Sequence, residues 1–376
     1  MSNNGEWVGI IHSTRPAYMK GASDLTIRDR LILSMLQQKG RIELNANGDE
    51  CKWQVEYSQP DITTYGDGGQ LDFANHDAFK QLSVDWRGYV GTDTLTVKQK
   101  NMNAGPEALI NLYQTKNNRL MKAIRNNFSA ELYKDGEASG RTACIHGVET
   151  FMGTGTTAVG DICVEPSDTY GLNSLSTAPG NAGGSWSSEL GTSPNANLAT
   201  DWPYGNGDSE YDYMSPKIAN YGSTSWAGDS NTWASNAWYA IGAMITWLTT
   251  GNGQEGSPDL IVLAPDLFQG FKDSQESYRR INVPHKGAQD LGFSTNVLNQ
   301  DGVAIQSDFD CTSGTGYAFN LDTVTLRSIM PQLFWSEGPD RDPRSGWSYL
   351  WGVGFYGNVC WSPKHVGKFV NEEDGS

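Results

Sequence analysis

The sequence predicts an α+β fold, in which helices and strands follow one another without a regular βαβ alternation. The first observation is a long amphipathic helix pattern in the first half of the chain, between runs that alternate with the period of a strand. The second is a content of 43 Gly among 376 residues, above the usual share of about 7%, which disfavours a helical bundle. The third is the presence of 13 Trp and 16 Tyr in a chain that is only 38% hydrophobic, so large rings must supply much of the core.

The chain is predicted to begin with an irregular arm followed by one helix at residues 24–40. Ile27, Leu31 and Met35 share one face of that helix, and Gly40 is suited to a left-handed cap. Asn47–Gly48 is typical of a tight turn after an extended segment at 42–44.

A long two-stranded ribbon is predicted next. Alternating apolar residues at 51–57 and again at 82–86 flank a polar tip at residues 61–75 that contains three Gly. Because an isolated two-stranded ribbon is only marginally stable in water, it is expected to lie on another surface.

The clearest helix is predicted at residues 104–134, with Pro106 in its first turn and Asp135–Gly136 as its stop. Its apolar residues recur at three- and four-residue steps: Leu109, Leu112, Tyr113, Leu120, Ile124, Phe128 and Leu132. A long helix with one narrow apolar face is expected to brace a sheet.

The second half mixes loops with both kinds of element. Residues 165–228 are rich in Gly, Ser, Asn, Thr and Trp and are expected to form long loops with an external contact surface. The patterns then predict a helix at 230–250 that stops at Gly251, a buried strand at 258–264 and a helix at 265–280. Strands are predicted near Ala304, at 317–321 and at 347–361.

The charge distribution argues against tight binding of nucleic acid. The net charge is −16, and residues 155–277 hold fourteen Asp and Glu against Lys217 and Lys272. Such a surface repels phosphates, although the locally basic helix at 104–134 leaves a weaker version of that role open. The sequence has neither a secretory signal nor an apolar run of about 18 residues, so a soluble protein that is not exported by the usual route is expected.

Familiar catalytic motifs are absent from the sequence. It has no Gly-x-Ser-x-Gly elbow, no phosphate-binding Gly-x-x-x-x-Gly-Lys loop and no His-Glu-x-x-His pair. The histidines are scattered and none has a neighbour that indicates a general base: His12, His76, His146, His285 and His365. We therefore predict no enzyme, no catalytic, cofactor-binding or metal residues and no cofactor.

Three clusters were weighed as metal sites. Cys144, His146 and Glu149 lie close together, but a zinc site needs four ligands in paired short spacings, so a buried structural cysteine is favoured. The pairs Asp308 and Asp310, and Asp340 and Asp342, lie in segments rich in Gly, Ser and Pro, where turn hydrogen bonding is favoured. The five cysteines are odd in number and widely spaced, which favours reduced thiols.

Four segments, in their order along the chain, resemble one known family. Residues 168–177, Asp-Thr-Tyr-Gly-Leu-Asn-Ser-Leu-Ser-Thr, are similar to its Tyr-Gly-Gly-Ile-x-Arg-Ser-Thr element, with Leu172 and Leu175 in place of the second Gly and the Arg. Residues 257–271 resemble its strand-then-helix element, and residues 317–327 and 356–360 resemble its closing strands. The family is that of the major capsid proteins of tailed bacteriophages, with the Hong Kong 97-type fold.

The resemblance implies an N-terminal arm at 1–44, an extended loop at 45–97, a peripheral domain with a spine helix at 98–164 and a mainly apical α/β domain at 165–376. It implies self-assembly into hexamers and pentamers of an icosahedral head that encloses double-stranded DNA. Portal and scaffolding proteins, and a cement protein, are the partners implied, no membrane is involved, and the place is the virion after assembly in the host bacterial cytoplasm. Since the chain has no charged helical prefix, a separate scaffolding protein is expected.

Two alternatives remain open at this point. An encapsulin-like nanocompartment shell has the same fold, and the Trp-rich loops also suit a carbohydrate-active or carbohydrate-binding β-rich protein. Some family members crosslink Lys to Asn between subunits, and Lys98 and Lys100 lie beside Asn101 and Asn103, but no acidic catalyst can be placed beside them.

Overall fold

The computed structural model describes residues 31–56, 62, 64, 79–102, 106–152, 169–174, 186–187, 216–221, 232–252, 256–276, 298–344 and 346–370. The helices in these ranges are α1 (Leu31–Gln38), α2 (Val97–Met102), α3 (Pro106–Glu131), α4 (Trp233–Asn252) and α5 (Pro265–Glu276). The strands of the first half are β1 (Ile42–Glu43), β2 (Cys51–Glu56), β3 (Phe79–Val84), β4 (Arg87–Thr96), β5 (Thr169–Tyr170), β6 (Asn173–Ser174) and β7 (Trp186–Ser187). Those of the second half are β8 (Lys217–Asn220), β9 (Leu260–Leu263), β10 (Leu298–Gln300), β11 (Val303–Ser307), β12 (Gly316–Phe319), β13 (Thr325–Ser328), β14 (Trp335–Arg341), β15 (Ser348–Cys360) and β16 (Val366–Val370).

One sheet is built around β15, which confirms the strand predicted at 347–361. Strand β4 pairs antiparallel with one edge of β15 over ten residues, from Arg87 opposite Gly357 to Thr96 opposite Ser348. Strands β13 and β14 share the other edge, and β1 runs parallel to β13. The 13-residue strand is therefore hydrogen-bonded on both sides.

Strand β14 was not predicted, and Asp340, expected in a turn, lies within it. Gly338 and Pro339 interrupt the sequence pattern of a strand, because Pro cannot donate to a ladder. The pairing with β15 accommodates them through a shift in register between Glu337 and Asp340.

Helix α3 braces this sheet, as its apolar stripe predicts. Gly91 on β4 allows the close approach, since a Cβ there would lie 2.8 Å from Leu120 and 3.2 Å from Ile124. Further along the helix, Phe128 makes edge-to-face contacts with Phe355 at 4.8 Å and Phe334 at 5.9 Å between ring centroids.

A second sheet has the strand order β10-β11-β9-β12-β16-β8-β7 and is covered on both faces. Ile261 and Leu263 on β9 pack on the side of α4 and α5. Leu260 and Val262 face the core that this sheet shares with α3 and the first sheet. Burial on both faces explains why the predicted strand at 258–264 is a continuous apolar run.

The predicted stop of α4 at Gly251 is wrong, because the helix continues through Gly251 to Asn252. A glycine costs a helix only about 0.5–1 kcal/mol relative to alanine, so it does not by itself end one. The predicted buried side of this helix is confirmed: Trp233, Ala237, Ile241, Met244, Ile245 and Leu248.

Two details of the N-terminal region differ from the expectation. Within α1 every residue from Leu31 to Leu36 is buried, so the helix has no single apolar face; Gly40, at φ +70°, caps its end as predicted. The tight turn at Asn47–Gly48 is wrong, because β1 pairs with the distant β13 and residues 44–50 form a loop between unpaired strands.

The predicted two-stranded ribbon is confirmed as β2 and β3, which pair antiparallel from Cys51 opposite Val84 to Glu56 opposite Phe79. Cys51, Leu82 and Val84 are buried in the chain's own core, whereas Phe79, further out, is 59% exposed. The base of the ribbon therefore lies on its own subunit. The predicted polar tip lies outside the described residues except for 62 and 64.

No helix in the described ranges is both long enough and apolar enough to span a membrane.

Replacing Phe128 with Ala is expected to lower the free energy of unfolding by about 3–5 kcal/mol, because it leaves a cavity between α3 and the first sheet. Urea unfolding followed by tryptophan fluorescence measures the change. Lys122→Ala, at an exposed position of the same helix, is the matched control and should change the free energy by less than about 0.5 kcal/mol. Equal effects of the two variants would contradict the bracing role of α3.

Candidate interaction surface

The first predicted acidic pair has the geometry of a turn. Asp308 is buried and accepts hydrogen bonds from the Tyr133 hydroxyl at 2.8 Å and from the Asp310 amide at 3.0 Å. The second pair is divided: Asp340 lies on β14, whereas Asp342 accepts from the Arg344 amide at 2.8 Å in the turn that follows.

The Cys144, His146 and Glu149 cluster does not come together. Glu149 instead accepts hydrogen bonds from Lys368 Nζ at 2.8 Å and from the Tyr317 hydroxyl, and so joins the segment after α3 to the second sheet. Cys144 is partly exposed, so the expectation that it is buried is wrong; its loop position leaves the thiol at the surface while its carbonyl accepts from Arg87.

The other sequence candidates do not form a site in the described structure. His365 lies in a short 3₁₀ helix after β15, and Lys98 is exposed on α2. His12, His76, His285 and Cys163 lie outside the described residues, as do the side chains of Lys100, Asn101 and Asn103.

Sequence reasoning missed a buried charge cluster where β3 leads into β4. Arg87 is 6% exposed and donates through Nε to Asp85 at 2.9 Å and through Nη2 to Glu137 at 2.5 Å. His146, which is fully buried, places Nε2 3.2 Å from Asp85 and 3.4 Å from Glu137. No local motif identifies this cluster, because its members come from three separate segments.

Asp85, Glu137 and His146 could offer three ligand atoms to a metal ion. The guanidinium of Arg87, however, already pairs with both carboxylates. Since a cation would have to enter beside that positive charge, the donor set suits an ion-pair network rather than a metal site.

The network holds the base of the ribbon against the rest of the chain. Burial alone would raise the pKa of Asp85, but hydrogen bonds from His146 and Arg87 outweigh it and hold that pKa well below its usual range. Arg87 also donates to the carbonyls of Gly136 at 2.7 Å and Cys144 at 2.8 Å. The arrangement therefore orients structure and has no group placed to attack a substrate.

The segment of the Tyr-Gly motif packs against the same place. Tyr170 is fully buried, and its hydroxyl donates to the Val359 carbonyl at 3.0 Å and accepts from the Trp361 amide at 2.8 Å. Gly171, at φ +59°, lies so close to the ribbon that a Cβ would be 2.7 Å from Val84 Cγ1. A side chain at this position would push the motif away from β3.

The outward face of the first sheet carries exposed apolar side chains. Val90 on β4 is 67% exposed, and Leu350 and Tyr356 on β15 are 37% and 43% exposed. Between them and Trp335 lies an open groove of about 490 Å³. Contiguous exposed apolar surface of this kind is typical of a face that contacts another protein.

No family model matches this chain, and no curated protein matches it either. Among solved structures, it is similar to the capsid chain of cyanophage A-1(L), with 12% identity, a TM-score of 0.52 and coverage of 90% of this chain and 92% of that one. It is also similar to the capsid chain of a native GTA particle, with 11% identity, a TM-score of 0.52 and coverage of 91% of both chains. An encapsulin of Synechococcus elongatus gives a TM-score of 0.41 with 8% identity, over 78% of this chain and 77% of that one, too low to support an argument.

The chain therefore has the Hong Kong 97-type capsid fold, and the predicted fold class is confirmed. With identities near one in ten, the likeness concerns the fold.

Arg87→Met is expected to lower the free energy of unfolding by about 3–5 kcal/mol, because it leaves two carboxylates beside an uncharged chain in a buried network. Urea unfolding measures the loss. Arg119→Met, at an exposed position of α3, should be nearly neutral. A small effect of the Arg87 variant would mean that water replaces the guanidinium without cost.

Asp85→Asn tests the same network through its pH dependence. Because the pKa of Asp85 is lowered in the folded chain, its stabilisation is present above the ordinary pKa of about 4 and is lost as the pH falls through the lowered value. The difference in urea midpoint between wild type and variant should be largest near neutral pH and shrink below about pH 4. A difference that does not change with pH would contradict the ion pairing.

Proposed function

We propose that this chain is the major capsid protein of a tailed double-stranded DNA bacteriophage. The observation that carries the proposal is the extent of the fold likeness, which covers about nine-tenths of this chain and of the capsid chains it resembles. The whole architecture is shared, and not one motif. In this role the chain assembles into hexamers and pentamers of an icosahedral head.

Exposed apolar residues on extended elements support an assembling subunit. Phe79 on the ribbon and Val90 on the outward face of the first sheet are more than half exposed in the single chain. We expect both to be covered by neighbouring copies, since obligate interfaces bury on the order of 2,000–5,000 Å².

The charge distribution supports a wall that encloses DNA without gripping it. The net charge of −16 and the acidic middle of the chain disfavour tight contact with phosphates. We infer a structural, non-enzymatic role in the virion, assembly in the bacterial cytoplasm, and portal, scaffolding and cement proteins as partners.

We also infer the division of the chain into an arm at 1–44, an extended loop at 45–97, a peripheral domain at 98–164 and a mainly apical domain at 165–376. The pairing of β4 with β15 supports a loop whose second strand continues into the peripheral sheet. The cover of α4 and α5 on the second sheet supports a separate core for the apical part.

Electron microscopy of the purified full-length chain, expressed with and without a candidate scaffolding protein, tests the function. We expect closed shells hundreds of ångströms across. Shells that carry a protein cargo and no DNA during infection would favour a nanocompartment. Monomers whose tryptophan fluorescence responds to oligosaccharides would contradict the proposal in favour of a carbohydrate-binding protein.

Phe79→Ser tests whether the ribbon contacts another copy. Removing a ring buried only in the assembly costs about 1.5–3 kcal/mol per contact, which is a tenfold or greater loss in association constant. We expect fewer shells by sedimentation, with an unchanged urea midpoint of the unassembled chain, whereas Phe79→Tyr retains the ring and should assemble. Normal assembly of the Ser variant would place Phe79 outside the interface.

A further inference from the structure

Two cysteines far apart in sequence meet where the ribbon joins the first sheet. Cys51 is the first residue of β2 and Cys360 is the last residue of β15. Their Sγ atoms lie 2.9 Å apart although 309 positions separate them along the chain, and both side chains are buried. Both are thiols at this separation.

Arg327 on β13 makes one of these thiols reactive. Its Nη1 lies 3.5 Å from Cys51 Sγ and is held in place by a hydrogen bond of 3.0 Å to the Lys52 carbonyl. The hydrogen bond from Cys360, together with the positive charge of Arg327, lowers the pKa of Cys51 to about 7, whereas sharing the proton with Cys51 and burial raise the pKa of Cys360. At neutral pH the pair therefore has one nucleophilic sulfur and one proton-holding sulfur.

Cys311 shows that burial alone does not produce this behaviour. Burial raises its pKa to about 12, and its only described thiol contacts are weak ones to Thr315. This thiol is inert by comparison and serves as a control.

A polar pocket leads to the reactive thiol. It has a volume of about 580 Å³ and is lined by Cys51, Arg327, Lys52, Glu50 and Trp86 among others. Arg327 and Lys52 present positive charge to an entering molecule that carries carboxylates. A small acidic disulfide therefore fits both the charge and the size of the opening.

We propose that Cys51 and Cys360 are a redox site, at which a low-molecular-weight disulfide converts the thiol pair to an intrachain disulfide that ties the ribbon to the central strand of the first sheet. The inference rests on the geometry of the folded chain and does not depend on the function proposed above.

The reaction is two successive thiol–disulfide exchanges. The Cys51 thiolate attacks one sulfur of the small disulfide, and the other half leaves as a thiolate that takes up a proton. Cys360 then loses its proton and attacks Cys51 Sγ, which breaks the mixed disulfide and releases the second small thiol. Two protein thiols are oxidised and one small disulfide is reduced to two thiols.

The bond would change the ribbon more than the rest of the fold. Cys51 begins β2, whose residues further along are only partly buried, whereas Cys360 is held by the ladder with β13. A covalent link at the base limits local opening of β2 and leaves the already rigid sheet unchanged.

Oxidised glutathione is the probe for the test. The full-length chain is incubated with it, unfolded, alkylated and mapped by mass spectrometry. We expect a Cys51–Cys360 crosslinked peptide in wild type and in the matched control Cys311→Ser. Cys360→Ser should retain a glutathione adduct on Cys51, and Cys51→Ser should leave Cys360 alkylated. Alkylation of both Cys51 and Cys360 in wild type, while the partly exposed Cys144 is modified, would overturn the proposal.

Hydrogen exchange tests the consequence for the ribbon. We expect the amides of β2 to exchange at least tenfold more slowly in the oxidised wild type than in the reduced protein, with no such change in Cys51→Ser. A crosslink that leaves β2 exchange unchanged would contradict the tethering.

Discussion

The structure depends on the pairing of β15 along both of its edges. Ten consecutive pairs with β4 place the inward side chains of both strands against α3, and the opposite edge holds β13 and β14. Gly354 and Gly357 on β15 make this possible, because side chains there would collide with the Trp335 ring and with the Arg327 carbonyl. Long-range strand pairing of this kind is entropically costly to form, so the aromatic core beneath it must offset the cost.

The ribbon leaves the molecule at the point where this sheet is most tightly constrained. Arg87 and its carboxylates hold the junction between β3 and β4, Tyr170 and Gly171 hold it from another side, and Cys51 meets Cys360 at its base. A projecting element that contacts a neighbouring copy needs a rigid origin, since any rotation at the base is multiplied at the tip. The polar groups concentrated here provide directional contacts that apolar packing alone does not.

Sequence patterns predicted the elements whose side chains repeat within one segment. The stripe of α3, the buried run of β9 and the alternation in β2 and β3 were all found at their predicted places. The patterns failed where a distant partner overrides local preference: Asn47–Gly48 indicates a hairpin, but β1 pairs with β13, and Gly338 and Pro339 indicate a break, but β14 pairs across a register shift. The charge cluster and the thiol pair were missed for the same reason, because their members are far apart in sequence.

The sequence by itself determined the α+β class, the long bracing helix, the ribbon and, through the order of weakly specific motifs, the resemblance to phage capsid proteins. Periodicity and chain order are local properties, so they can be read without knowing which segments meet. Only the tertiary structure decided that Arg87 neutralises Asp85 and Glu137, that Glu149 serves Lys368 instead of a metal, and that Cys51 lies against Cys360. Each of these depends on burial and on a partner from a distant segment, and both are properties of the folded chain.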